Sequence, residues 1–228
     1  MDIVIRTPLN VIGFNKQLEL DPKWVDSRIA IMKKYLFPAM SAQTDNNYYW
    51  FVETREETRD QVKKSLRDCP EGEALPIVVT TPKEKEAAVM IIVTSGKFLE
   101  VRLNSDDCYH KDFVKRLRKV KLDTDTQAVI ANNGYMWYMK EGVIVEREFA
   151  SPPFYAFVYN KSKFTKGFRY RPENGHCGVF KMPHKVMTER NWLWLVHGRN
   201  YKQIRGAEYP KYTSFKQVSK KVLKDFGL

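Results

Sequence analysis

Phe98-Leu99-Glu100-Val101-Arg102-Leu103-Asn104-Ser105-Asp106-Asp107 reads as a strand that ends in two adjacent carboxylates. Side chains alternate faces along a strand, so Phe98, Glu100, Arg102 and Asn104 share one face while Leu99, Val101 and Leu103 share the other, apolar one. Just beyond, in Cys108 to Leu117, Phe113, Val114 and Leu117 fall at helical spacing, which predicts a helix directly after the carboxylates. Asp106 and Asp107 are then expected at a strand-to-helix junction, where open α/β sheets bind ligands. Two hard oxygen donors there suit a divalent cation carrying a phosphorylated molecule. On spacing alone, the competing reading is that the pair caps the helix.

Toward the N-terminus the chain alternates. Ile3-Val4-Ile5 predicts a short buried strand stopping at Pro8, with Thr7 near its end. Asp21-Pro22 opens a helix, and Val25, Ile29, Met32, Leu36 and Phe37 recur on one face of it, with Pro38 expected to kink or end it. Tyr48 to Val52 is a strand handing over to Glu53, and residues 56 to 66 are helical with Val62 and Leu66 inward. Ile77 to Thr80 is a strand, and Pro82 begins a helix through Ile92. Such alternation predicts parallel strands covered by helices.

Beyond residue 121 the pattern turns antiparallel: Gln127 to Ala131 and Gly134 to Met139 are strand-like, Glu141-Gly142 makes a hairpin turn, and Val143 to Arg147 returns. Phe154 to Tyr159 is a further aromatic strand, and Trp192 to Val196 an apolar run within a loop-rich basic region. Phe215, Val218, Val222, Leu223 and Phe226 are expected on one face of a C-terminal amphipathic helix whose other side carries Lys216, Lys220, Lys221 and Lys224. That helix could dock on the domain or lie on an anionic surface. The expected units are 1–121, 122–206 and 207–228, within one compact domain.

The net charge is +12, and residues 161–228 hold 16 Lys and Arg against 4 Asp and Glu, so the excess lies entirely in this last part. A local basic surplus attracts polyanions, and Lys181, Lys185, Arg190, Lys202 and Arg205 are its candidate contacts. The three cysteines, Cys69, Cys108 and Cys177, are unpatterned, which argues against a disulfide framework or zinc site and for a reducing cytoplasm. No apolar run approaches a membrane span, and Ile3-Val4-Ile5 near the start does not read as a secretory signal.

Gly-rich phosphate loops, nucleophile elbows and His-Glu-x-x-His helices are absent from the sequence, so the Asp pair is its best catalytic nucleus. His176, His184 and His197 are candidate partners for it, with Arg199 and Lys202 behind the last to neutralise a leaving diphosphate. Glu141, Glu146, Glu148 and Glu173 are candidate bases for an acceptor hydroxyl.

Three segments resemble a rhamnosyltransferase family, a bacterial and phage branch of the GT-A-type nucleotide-sugar glycosyltransferases. They are Lys34 to Asp45 with Tyr49-Trp50-Phe51-Val52; Val101 to Asp107 with Asp112-Phe113-Val114; and Trp192 to Asn200, containing His197-Gly198-Arg199-Asn200. The likeness implies a GT-A-like single α/β domain, a Rossmann-like, mostly parallel sheet with a smaller antiparallel part and a basic C-terminal extension. It implies a nucleoside-diphosphate-sugar donor bridged by Mn²⁺ or Mg²⁺, with Asp106, Asp107 and His197 as metal and catalytic residues. Thr7 and Glu53 would hold the nucleotide base, and Arg102, Asn104, Asp106 and Arg199 the rest of the donor. Asn104 stands where relatives often have an Asp, which lowers the local negative charge. The acceptor expected from the basic surplus is a polyanion, hydroxymethylated phage DNA or an envelope polysaccharide, with peripheral contact to an anionic inner membrane for the latter. A competing class is a non-catalytic nucleic-acid-binding protein that stacks bases on Phe164, Phe168, Tyr170 and Tyr201.

Overall fold

Strand β1 (Asp2–Pro8) runs parallel to β2 (Tyr49–Glu53) on one side and β4 (Lys97–Arg102) on the other, and β3 (Ile77–Thr80) extends the sheet beyond β2, again parallel. In this computed structural model the described residues are 1–228 except 12, 14, 68–74, 201, 202, 204, 205 and 207. Parallel neighbours require crossovers, which the helices supply. These are α1 (Lys16–Leu20), α2 (Pro22–Ile31), α3 (Phe37–Ser41), α4 (Arg59–Arg67) and α5 (Pro82–Ile92). The expected alternation is therefore the one observed.

Local chemistry starts the helices where the sequence places them. Asp21 accepts the Lys23 N–H at 2.9 Å with Pro22 behind it, and Thr81 and Glu84 form a reciprocal capping box at the head of α5. Pro38 neither ends nor breaks the second helical segment. A π turn, Met32–Leu36, joins α2 to α3, and Pro38 falls in the first turn of α3, where its missing N–H is tolerated.

Both faces of the parallel sheet are covered, so its central strands are buried on both sides. Leu99, Val101 and Leu103 join Ile3, Ile5, Val25, Ile29, Trp50 and Val52 on one face, while Phe98 packs with Val4, Phe51, Val89 and Phe164 on the other. Glu100, also on that second face, is paired with Lys85 of α5 at 2.6 Å.

The antiparallel half attaches through β8 (Tyr155–Asn160), which runs against β4. Strand β6 (Ala128–Tyr138) is its hub: β9 (His184–Val196) runs parallel along it, while β8 and then β7 (Val143–Glu148) pair antiparallel with successive parts of it. The segments read as two short strands flanking Asn132-Asn133 are thus one strand, and the run at Trp192 is the end of a long one.

Two expectations are corrected. Cys108 and Tyr109 are not helical: Asp107–Tyr109 forms β5, antiparallel to Trp192–Trp194 of β9, and the helix that follows, α6 (Phe113–Arg118), begins only at Phe113. Pairing with a strand far along the chain overrides the local helical spacing, and Asp106 and Asp107 do not cap α6. The C-terminal stretch is not an amphipathic α-helix either. Gln217–Val218 forms β10 on the edge of β7, and Lys220–Phe226 is a 3₁₀ turn started by Ser219. Phe226 is fully buried among Ala39, Cys108, Ile144, Leu193 and Leu195, so the segment docks on the domain rather than presenting its apolar side to a membrane. No helix among the described residues is long and apolar enough to cross a membrane.

Candidate active site

Strand β4 ends at Arg102, and the chain continues along β1 through Leu103, whose N–H donates to the Arg6 carbonyl at 3.0 Å. Asp106 therefore emerges at the carboxyl ends of the parallel strands, and Asp107 opens β5 beside β9. The two side chains point to different partners. Asp106 Oδ2 accepts three donors: Arg28 Nη1 at 2.9 Å, His197 Nε2 at 3.1 Å and Asn200 Nδ2 at 3.2 Å. Asp107 Oδ1 accepts the Leu195 N–H at 3.2 Å, and its Oδ2 accepts Asn104 Nδ2 at 2.7 Å.

Arg28 reaches the cluster from α2, buried to 2%, and its second nitrogen donates to Ser105 Oγ at 2.6 Å. His197 follows the end of β9 in a turn held by Asn200, whose Oδ1 accepts the His197 N–H at 3.0 Å and whose Nδ2 also donates to the Leu195 carbonyl at 2.8 Å. His197 Nδ1 accepts the Arg199 N–H at 3.3 Å, which leaves the ring proton on Nε2, the nitrogen facing Asp106.

The electrostatics of the pair diverge. Burial opposes ionisation of Asp106, but the Arg28 guanidinium and the His197 hydrogen bond outweigh it and hold that carboxyl below the usual range. Burial, with the Asp106 charge beside it, pushes Asp107 well above the usual range. Tyr209, edge-on to the Trp194 ring at 5.7 Å, is raised by burial and by the nearby Asp107 and Asp106 charges. From His197 a cleft of about 720 Å³ opens between the hairpin end of β6 and the chain around 208–212, lined by Tyr138, Glu141, Tyr209, Lys211 and Tyr212 among others.

Of the residues singled out in the sequence, Asn104, Asp106, Asp107 and His197 come together here, with Arg199 exposed at the rim. Thr7 is turned inward, its hydroxyl accepting Trp50 Nε1 at 2.9 Å. Glu53 is buried in an ion network, 2.5 Å from Arg6 Nε and 3.6 Å from Lys85. Arg102 is half-buried; its carbonyl accepts the Tyr109 hydroxyl at 2.5 Å. His176 and His184 lie elsewhere, on the 3₁₀ turn Gly175–Lys181 and at the start of β9. Among the four candidate bases, Glu141 lines the cleft, whereas Glu146 is paired with Arg190 and Lys216, Glu173 with Lys181, and Glu148 with the Asn132 amide.

The described basic candidates each have an acidic partner. Lys181 is 3.4 Å from Glu173, Lys185 is 2.5 Å from Asp123, and Arg190 is 2.8 Å from Glu146; Lys202 and Arg205 lie outside the described residues. Of the stacking aromatics, Phe164 is buried, Tyr170 packs on Phe157 and Tyr159, Phe168 is 43% exposed, and Tyr201 lies outside the described residues.

The ligand set expected for Mn²⁺ or Mg²⁺ does not fit this geometry. Both Asp107 oxygens and both His197 nitrogens are engaged by protein groups, and a guanidinium already neutralises Asp106. Among the described residues no group of three or more His, Cys, Asp or Glu side chains is placed to hold a metal ion.

Arg28 and the Asn200 amide were not foreseen as site groups. Arg28 had a signal: it falls in step with Trp24, Val25, Ile29 and Met32 on the inward face of its helix, where a cation requires a buried carboxylate. The Leu195 N–H had none, since backbone donors carry no side-chain signature.

Polar groups thus gather at the carboxyl ends of the parallel strands, where an open α/β sheet binds its ligand, with the antiparallel half beside them. The sequence model of the family described as "Putative rhamnosyl transferase" matches residues 14–199, and the chain belongs to that family. The single mixed α/β domain expected from the resemblance, a mostly parallel sheet flanked by helices with a smaller antiparallel part, is the one observed. Solved structures with a similar course include S. aureus TarS in complex with UDP-GlcNAc, 12% identical over 96% of this chain and 62% of that one, with a TM-score of 0.48. Another is the inositol-1-phosphate CTP transferase from T. maritima, 14% identical over 99% and 95% of the two chains, with a TM-score of 0.40. A third is an active-site mutant of LgtC, 13% identical over 93% and 85%, with a TM-score of 0.38. The chain spans 38% to 63% of the TarS structures it matches. No curated protein sequence matches it.

Proposed function

We propose that the protein is a glycosyltransferase moving a sugar from a nucleoside-diphosphate-sugar donor to an acceptor hydroxyl. The observation that carries this reading is the Asp106–His197 contact, which joins the end of the nucleotide-binding half to the end of β9 at the mouth of the cleft. In the reaction the acceptor hydroxyl attacks the anomeric carbon and the bond to the diphosphate breaks. Arg199 at the rim is the group that meets the charge developing on the leaving diphosphate. Asp106 fixes His197 through its Nε2–H, and Glu141, across the cleft, takes the proton of the attacking hydroxyl.

The acceptor in this reading is polyanionic, hydroxymethylated DNA or an envelope polysaccharide, and the enzyme acts in the cytoplasm or at the inner face of a membrane. The charge surplus of residues 161–228 supports that choice. The competing class, a nucleic-acid-binding protein without catalysis, loses support because, of its stacking residues, Phe164 is buried in the core and Tyr170 is packed against it. Calorimetry with a panel of nucleoside-diphosphate sugars tests the reading. One donor should bind, and His197→Ala should weaken it at least tenfold; no binding by any donor refutes the proposal. Duplex binding that collapses between low and moderate salt selects DNA as the acceptor.

A further inference from the structure

The Asp-rich motif of this chain has its charge balanced from inside the protein. Arg28 is only 2% exposed and is ion-paired to Asp106 at 2.9 Å, while its other nitrogen holds Ser105 at 2.6 Å, so the guanidinium spans the motif. A divalent cation at the motif would compete with protein donors for the carboxylates and would find little surplus negative charge to hold it. Three donors converge on Asp106 Oδ2, Asn104 and the Leu195 N–H take the two oxygens of Asp107, and His197 offers no free ring lone pair. Asn104, neutral itself, places an amide donor against Asp107. These contacts all work against surplus negative charge, which is what attracts a hard cation.

We infer that this site binds its nucleoside-diphosphate ligand without a divalent cation, the Arg28 guanidinium standing permanently where a metal's charge would otherwise be required. The inference rests on the donor reading above and concerns how the same site works. Arg28 acts through Asp106: it keeps that carboxylate ionised and aimed at His197 and Asn200, which in turn shape the Gly198-Arg199 turn at the cleft rim. It is a positioning residue. The diphosphate then meets protein donors and the exposed Arg199 rather than a bridging ion.

The test uses the full chain and the donor identified by the calorimetric panel. Donor affinity is measured with excess EDTA and with added Mn²⁺ or Mg²⁺, and Mn²⁺ alone is titrated by electron paramagnetic resonance. The expected results are donor affinities within about twofold of each other in the two buffers and a Mn²⁺ signal that stays that of the free ion. Tightening by Mn²⁺ of tenfold or more, reversed by EDTA, overturns the inference while leaving the glycosyltransferase reading intact. Absence of binding in both buffers refutes the donor reading itself. Arg28→Gln supplies the second arm, because it leaves the motif's carboxylates uncompensated. If it folds, it should capture Mn²⁺ that the native chain ignores, and a folded variant as blind to Mn²⁺ as the native chain overturns the role given to Arg28. If it does not fold, the native-chain titrations decide.

Discussion

Replacing Gly134 by Ala isolates the packing that holds β9 against β6, and through it the candidate site. Gly134 faces Trp192 across the strand pair, just where a bulge shifts the register. A Cβ there would lie 2.1 Å from the Trp192 ring and 2.4 Å from the Trp192 carbonyl, so both side chain and backbone must move by more than an ångström. The ring has nowhere to go. It is fully buried, stacked on Phe154 with centroids 4.7 Å apart, and its Nε1–H donates to the Ala131 carbonyl at 2.8 Å. Overpacking costs about 1–3 kcal/mol, and a buried indole N–H deprived of its acceptor about 1–3 more, so the expected loss is about 2–6 kcal/mol. For a chain of this size that lowers Tm by roughly 4–24 °C, read by calorimetry or far-UV circular dichroism. Gly96→Ala is the control, since an added Cβ there meets nothing within 4 Å. Because Trp194 pairs with Asp107 two residues along the same strand, the variant should also lose donor affinity. A melting temperature equal to that of the Gly96 variant would refute the reasoning.

Lys85→Met should cost about 3–5 kcal/mol in urea unfolding, since it strips the buried Glu100 and Glu53 of a cation at 2.6 and 3.6 Å; adding Glu100→Gln should recover part of the loss. Phe226→Ala empties the pocket between Ala39, Cys108 and Leu195 and should cost about 3–5 kcal/mol, with hydrogen exchange rising first in β10 and the 3₁₀ turn after it. His176 is lowered from 6.5 to about 4 by burial and by the Arg102 guanidinium, so the unfolded chain takes up its proton at higher pH than the folded one. Stability should therefore fall as pH drops from 6.5 toward 4, and His176→Gln should flatten that part of the profile in urea midpoints; an unchanged slope refutes the assignment. Glu141→Gln should lower kcat by about 10²–10⁴-fold with donor affinity unchanged, and a loss of donor affinity instead would remove Glu141 from the role of base.

What the chain disclosed in advance was whatever its neighbours along the sequence decide. Asp21-Pro22 and Pro82 announce their helices because such signals act within a single turn, and the strands at Ile3, Tyr48 and Phe98 are legible because short runs rich in β-branched, aromatic and aliphatic residues mark them. Strands β5 and β10, of three and two residues, carry too little pattern to declare themselves. Their conformation comes from β9 and β7, and the same local spacing that suggested helices at Cys108 and Val218 is satisfied by pairing instead. The site divides along that line. Asp106, Asp107 and His197 could be found because their side-chain chemistry is written in the residue names. How they are used depends on which groups arrive from α2, β9 and the turn at Asn200, and those arrivals change the chemistry. Two adjacent carboxylates read alone attract a cation; beside Arg28, Asn104 and the Leu195 N–H they are already answered. An inward-facing arginine in an otherwise apolar helix stripe is thus the most informative residue outside the motif. Its burial to 2% requires a partner, and the only chemistry that repays burying a guanidinium so deeply is an anion held in fixed geometry, here the first carboxylate of the pair.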